Sequence, residues 1–525
     1  MRIRLVLGLL FALLLAAPAH AATVGQAQAL QIAGHHRGSP DVYLMRHPGG
    51  EPFWVVAFRG RTNVLTEVDV DARSGRVEAI RTGWHANFRS SRGHYGGMSD
   101  SWWVWLPLCL LFIAPFFDFR RPLRMLHFDL LALLAFGVSH LFYNQGNYLV
   151  SVPLVYPVLT YLLVRMLWLG FVPRYAHGPL VPYARTRWLV AGLVLLVGFR
   201  VFVNVDTAKV LDIGNAGVQG AGAVLHGYPI YVGDRLHRDT YGPLNYLTYV
   251  PFVKLSPSSL WSHNPAAAHM ASIFCDLLVL LGLFSVGRRL RAGPEGTRLG
   301  VALAFAWAAF PYSMYALALN TNDALVAALL LLAFLALSSP MRGVWLGAAV
   351  AVKFVPLALV PLFARGRTRA YALALAATLA LLFVPLMPSP HRLWDLTLGF
   401  QLHRVTPFSL WTLYPSLAWL KALIAVGAVA LAAAVAFIPR ERGPAQVAAL
   451  AAAVLIAVQL TSAYWFYFYV VWFVPFVLIA LFSLDIPRST QIPSSMRVWS
   501  THSSSPISSG SRRSRRRRVT TALPR

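Results

Sequence analysis

Acidic residues are scarce: the 525-residue chain holds 19 Asp and Glu against 46 Lys and Arg, and all charged residues together make up 12% of it. That is too little charge to cover a soluble globule of this size. With 57% hydrophobic residues, the composition calls for a polytopic membrane protein. Cysteine is nearly missing. The two present, Cys109 and Cys275, each lie in an apolar run, which leaves no framework for disulfides or a thiolate metal site, and packing is their expected role. The His-Arg pairs at 237–238, 391–392 and 403–404 stand apart from one another, so no tightly bound metal and no cofactor is expected. The net charge of +27 invites a nucleic-acid reading that its distribution argues against. Nine arginines and no acid fall from Arg488 to the end. Much of the remaining basic excess lies in short loops between apolar segments, as positive-inside topology requires. Attraction to anionic lipid is the expected partner effect, and no nucleic acid is expected.

The first residues, "MRIRLVLGLLFALLLAAPAHA", have a basic start, a short apolar core and a small-x-small exit, the build of a secretory signal peptide over 1–21. The chain after Ala21 then begins outside the cytoplasm. From 22 to 100 it is polar, with one helix-like piece, "VGQAQALQIAG", and two strand-like pieces, "PFWVVAFRG" and "LTEVDVDARSGRVEAI". "DARSG" supplies the turn of a hairpin. The segment resembles a PepSY-type domain, a small extracytoplasmic α+β module, particularly in "VDVDARSGRVEAI"; the resemblance implies a regulatory or interaction role.

Beyond 101, apolar runs alternate with short loops. The basic loops predict membrane helices over 101–187, a second membrane domain over 188–484 with a large outer loop at 206–265, and a cytoplasmic, disordered basic tail over 485–525. The expected total is about eleven spans. The segment 343–363 breaks the charge rule if it crosses, because "ARGRTR" would then lie outside. The preferred reading is a re-entrant or broken segment around "VKFVP", where Lys353 and Pro356 interrupt a helix.

The outer loop is long for a chain of short loops and holds Asp206, Asp212, Asp234 and Asp239. At about 100° per residue, Asp212, Asn215, Gln219 and His226 share one helical arc of about 60°. Ile213, Val218, Val224 and Leu225 lie on another side, and small residues fill the rest. This predicts a helix with a narrow polar line, suited to a membrane interface and to lining a cavity. Two plainer readings stand beside it: the small residues serve close helix packing, and Asp212 merely opens the helix. "TSAYWFYFYVVW" reads as an aromatic belt or as a surface for stacking a sugar.

Four segments, "DIGNAGVQGAGAVLHGYPIY", "DTYGPLNYLTYVPF", "LNTNDALVAALLLLAFLAL" and "GAAVAVKFVPLALVPLF", resemble in order and spacing the polyprenyl-phosphate-sugar-dependent glycosyltransferases of the GT-C superfamily, and within it the mannosyltransferase-like family 87. The motif positions map onto Asp212, Gly227 with Pro229 and Tyr231, Tyr241 with Pro243, Asn320 with Asn322, and Lys353. An Ile after Asp212, and Asn215 and Gln219 where Tyr or small residues are common, depart from the family pattern. The resemblance implies an all-α GT-C-like membrane domain at the plasma or inner membrane, its active site facing the extracytoplasmic side. It implies an inverting transfer of a sugar, mannose or an arabinose-like pentose, from a polyprenyl-phosphate donor to a lipid, glycan or protein acceptor. Asp212 is then the expected general base, with Asp206 in reserve. Asn215, Gln219, His226, Tyr231, Tyr241 and Asn322 are expected to bind substrate. Lys353, His403, Arg404 and Arg238 or Arg235 are the cations expected near the donor phosphate. A transporter would instead use Asp212 and Lys353 as coupling charges and show internal repeats with matched broken segments, and none is found. A noncatalytic scaffold would tolerate loss of Asp212.

Overall fold

The computed structural model describes residues 24–46, 51–59, 64–82, 86, 101–144, 147–172, 184–207, 210–231, 240–257, 265–387, 389–403 and 408–483. The expected signal peptide and the basic tail lie outside the described residues.

The N-terminal segment is the expected α+β unit. Helix α1 (Gln26–Ala33) is followed by strands β1 (Ser39–Arg46), β2 (Pro52–Arg59), β3 (Val64–Asp71) and β4 (Val77–Thr82) in an antiparallel meander. Helix α1 packs Ala29 and Ala33 against Val56, Phe58, Val68 and Val70. The predicted hairpin joins β3 to β4, and its turn is built by Asp71. One carboxylate oxygen accepts from the amides of Arg73 and Ser74 at 3.0 and 2.6 Å and from the Ser74 hydroxyl at 2.8 Å, while Gly75 takes the left-handed conformation that closes it. These bonds hold the Asp71 carboxyl below its usual range, the Ser74 amide contributing most. Strand β1 was not expected. "SPDVYLMR" carries a Pro and an Asp that read as a loop, and it pairs only with β2, at the sheet edge, where such residues are tolerated.

The remaining described residues are mainly helical. Their elements are α2 (Trp102–Ile113), α3 (Met125–Asn144), α4 (Tyr148–Phe171), α5 (Thr186–Phe202), α6 (Asp212–Leu225), α7 (Pro243–Leu255), α8 (Ala266–Leu290), α9 (Gly293–Ala309), α10 (Pro311–Ala318), α11 (Asp323–Leu335) and α12 (Ser339–Val350). After a short turn at Val360–Phe363 come α13 (Thr368–Phe383), brief turns between Pro390 and Leu417, α14 (Ala418–Phe437), α15 (Pro444–Leu460) and α16 (Val474–Phe482).

Six helices among the described residues are long and apolar enough to cross a bilayer, or seven if α9 and α10, bent by 60°, count as one. The expected eleven are not reached by this measure, for a physical reason. Helices α11 and α15 are short and almost wholly buried in protein, so their length answers to neighbouring helices and not to lipid thickness. The segments 102–117 and 467–484 are each divided between an α-helix and a 3-10 turn. The expected outer loop contains two helices, α6 and α7, packed closely because side chains are missing. A Cβ on Gly217 or Gly220 would fall within 2.6 Å of the Tyr249 ring or 2.2 Å of the Tyr246 ring. The close-packing role of the small residues is therefore real.

The segment around "VKFVP" is a hairpin. Helix α12 ends at Val350 and a 3-10 turn begins at Val355, while the two feet of the segment meet. The Ser339 hydroxyl and the Arg342 guanidinium both donate to the Arg365 carbonyl, at 2.9 and 2.8 Å. The chain therefore climbs and returns, with Lys353 near the tip. Its feet belong to a basic end of the bundle. There the Arg289 guanidinium donates to the Leu335 carbonyl, and Arg365 donates to the carbonyls of Pro439 and Arg440 at 3.1 Å each. Arginine on helix C-terminal carbonyls satisfies groups that have no partner within the helix.

Candidate functional site at the opposite end of the bundle

The hairpin tip meets the starts of three other elements. Gly242 and Leu244, at the start of α7, donate their amides to the carbonyls of Val352 and Ala351 at 3.2 and 3.0 Å. A Cβ at Gly242 would lie 2.1 Å from the Ala351 oxygen, so only glycine permits this approach. The amide of Leu211, just before α6, lies 3.4 Å from the Leu319 carbonyl. Asn320 follows in the left-handed region at φ 54°, which asparagine adopts more readily than most residues. Asn204 steadies it, its amide donating to Asn320 Oδ1 at 2.8 Å and to the Leu317 carbonyl at 2.7 Å, and its Oδ1 lies 3.0 Å from His269 Nδ1.

At the centre, Lys353 Nζ lies 2.5 Å from Asp323 Oδ1. Asp323 is 0% exposed and opens α11. The same oxygen accepts from the indole of Trp472 at 2.7 Å. Lys353 also lies 5.0 Å from the ring centre of Trp472, 5.1 Å from that of Tyr469 and 6.0 Å from that of Tyr241, within cation–π range. Tyr469 and Trp472 stack at 4.4 Å. Beside the pair, Asn322 Nδ2 donates to Asn245 Oδ1 at 2.8 Å, both side chains buried. Asp212 stands at the start of α6, exposed, and its charge is felt at the Lys353 ammonium.

Of the residues expected to act, Asp212, Tyr241, Asn322 and Lys353 come together here. The polar line of α6 is real: Asp212, Asn215, Gln219 and His226 are exposed or half-buried, while Ile213, Val218 and the glycines and alanines are mostly buried. Only its first turn touches the cluster. His226 caps the far end of α6, roughly 20 Å away by helix rise, its Nδ1 2.7 Å from the Gly222 carbonyl. Asn215 donates to the Val210 carbonyl at 3.2 Å. Tyr231 is fully buried, its hydroxyl donating to the Tyr241 carbonyl at 2.8 Å. Asp206 lies exposed in a widened turn closing the α5 span. Arg235, Arg238 and Arg404 lie outside the described residues; His403 ends a short helix and its side chain is outside them too. No group of three metal-ligating side chains occurs among the described residues.

Asp323 and Asn245 were not singled out from the sequence, although both lie inside the quoted motifs. The signal for Asp323 was available: it is the one acid opening the run "DALVAALLLLAFL", and a lone acid and a lone lysine in apolar segments have strong reason to pair. A second buried pair, Arg200 with Asp276 at 2.5 Å, also takes the Trp307 indole, the Ser313 hydroxyl and the Ala308 carbonyl. It braces the bend between α9 and α10 that delivers Asn320.

An acid–lysine pair, a pair of side-chain amides and an accessible carboxylate thus gather at one end of the helical bundle. Residues 240–463 match the model of Glycosyltransferase family 87, a GT-C type membrane glycosyltransferase family. Asn245, Asn322, Asp323 and Lys353 lie inside the matched segment, whereas Asp212 and the N-terminal α+β unit lie before it. No curated protein matches the chain closely enough to count as a relative.

Proposed function

We propose that this membrane protein is a glycosyltransferase, moving a sugar from a polyprenyl-phosphate donor to a hydroxyl-bearing lipid, glycan or protein acceptor with inversion. One observation carries the reading: four motifs far apart in sequence meet at the hairpin tip, bringing an accessible carboxylate beside a caged ammonium. In the reaction, the acceptor oxygen attacks the anomeric carbon, the bond from that carbon to the phosphate oxygen breaks, and the polyprenyl phosphate departs. Asp212 takes the acceptor proton. Exposed at the head of α6, it is free to take a proton, whereas Asp323 is already engaged by Lys353 and Trp472. Lys353 is largely neutralised by Asp323, so its part is to present a fixed, oriented N–H to the departing phosphate. The free cations for that phosphate are then sought among Arg238, His403 and Arg404. By the positive-inside rule the basic end faces the cytoplasm, which turns the site outward; a PepSY-like unit outside would serve interaction or regulation.

The test is Asp212→Asn in membranes supplied with labelled polyprenyl-phosphate sugars. Transfer is expected to fall by about 100-fold or more. Undiminished transfer would remove the general-base assignment, and no transfer by the parent from any such donor would remove the donor class.

A further inference from the structure

Three polar atoms beside the ion pair have no hydrogen-bond partner: Asn245 Nδ2, Asn322 Oδ1 and Asp323 Oδ2. Their side chains are 0%, 2% and 0% exposed. They are neighbours by construction. Asn322 precedes Asp323 and donates one amide hydrogen to Asn245 Oδ1, while Asp323 spends its other oxygen on Lys353 and Trp472. Burying one unpaired polar atom is costly, and three together are a pattern that needs a reason. What they offer is one donor and two acceptors. An isoprenoid chain could meet none of them, and a phosphate, rich in acceptors, would face two more. Two adjacent hydroxyls can satisfy all three, because each hydroxyl both donates and accepts.

We infer that Asn245, Asn322 and Asp323 form a subsite reading two adjacent hydroxyls of the transferred sugar. The Asn245 amide donates to one hydroxyl, and the two hydroxyls donate to Asn322 Oδ1 and Asp323 Oδ2. Tyr241 and Lys353, half-buried, stand beside it, and the Trp472 indole holds the Asp323 carboxylate in orientation. This rests on the glycosyltransferase reading and adds to it what the site recognises.

The experiment compares kcat/KM for a polyprenyl-phosphate hexose accepted by the parent with its singly deoxygenated analogues, for the parent, Asn245→Ala and Asn322→Ala. Loss of a read hydroxyl is expected to cost the parent about 10- to 100-fold. Each variant should lose a similar factor on the full donor, yet match the parent on one deoxy donor, so that discrimination at that hydroxyl collapses towards one. Asn245→Asp, which keeps the shape and removes the amide donor, should behave as Asn245→Ala if the latter folds poorly. Variants that lose the same factor on every donor, or lose nothing, would overturn the subsite while leaving the glycosyltransferase reading intact. A parent inactive with every polyprenyl-phosphate hexose would overturn that reading instead.

Discussion

At the scale of single residues, the decisive feature is a charge pair that sequence patterning scattered over two apolar runs. Lys353 was legible as an anomaly, a cation amid "GAAVAVKFVPLALVPLF", but snorkelling to an interface was an equally physical account. The structure gives it an internal partner. Its amine meets Asp323 at 2.5 Å, under three aromatic rings. Removing one member of a buried pair strands the other, at a cost of about 3–5 kcal/mol, whereas an apolar replacement of both is often neutral. Asp323→Ala should therefore lower the thermal unfolding midpoint in detergent markedly, and Asp323→Leu with Lys353→Met should restore most of it. Equal losses in the single and double variants would show that the pair does not act as a unit. Since Lys353 also presents an N–H to substrate in this mechanism, the stable double variant should remain impaired in transfer.

At the scale of elements, small residues decide where chains can meet. Gly242 touches the Ala351 carbonyl so closely that a methyl group has no room, and the obstruction is backbone, which cannot swing aside. Gly242→Ala is expected to part α7 from the hairpin tip and cost about 1–3 kcal/mol, with transfer falling further than stability; unchanged rates and melting would contradict the contact. The β3–β4 turn allows a different check. The Asp71 carboxyl is lowered by the Ser74 amide and hydroxyl, so the turn's contribution to stability is present above the ordinary carboxylate range and is lost as pH falls through the lowered value. In Ser74→Ala, amide hydrogen exchange should show the hairpin loosening at a higher pH than in the parent. Identical pH profiles would mean that Asp71 does not secure the turn. The hairpin itself was readable from "DARSG". Strand β1 was not, because edge strands accept residues that elsewhere signal loops.

At the scale of the whole molecule, the bundle has a basic end, where Arg289, Arg342 and Arg365 hold backbone carbonyls at or just beyond helix ends, and a site end where Asp212, Asn322 and Lys353 gather. The hairpin 339–365 reconciles the charge rule with "ARGRTR", since its feet share the basic end and only its tip reaches the site. In a variant lacking Cys109 and Cys275, a cysteine replacing the exposed Arg367 should be labelled only from the cytoplasmic side, and one replacing the exposed Asp206 only from outside. Labelling of both from one side would dismiss this topology.

Membrane class, the α6 helix with its polar line, the N-terminal hairpin and the family resemblance were all determined by the sequence alone. Each depends on composition, short-range periodicity or motif order, which the linear chain carries in full. The span count, the partner of Lys353, the burial of Tyr231 and the grouping of Asn245 with Asn322 were decided only by tertiary structure. Those depend on which helices are shielded from lipid and on contacts such as Asp323 with Trp472, 149 residues apart, and no local pattern records a pairing made across the bundle.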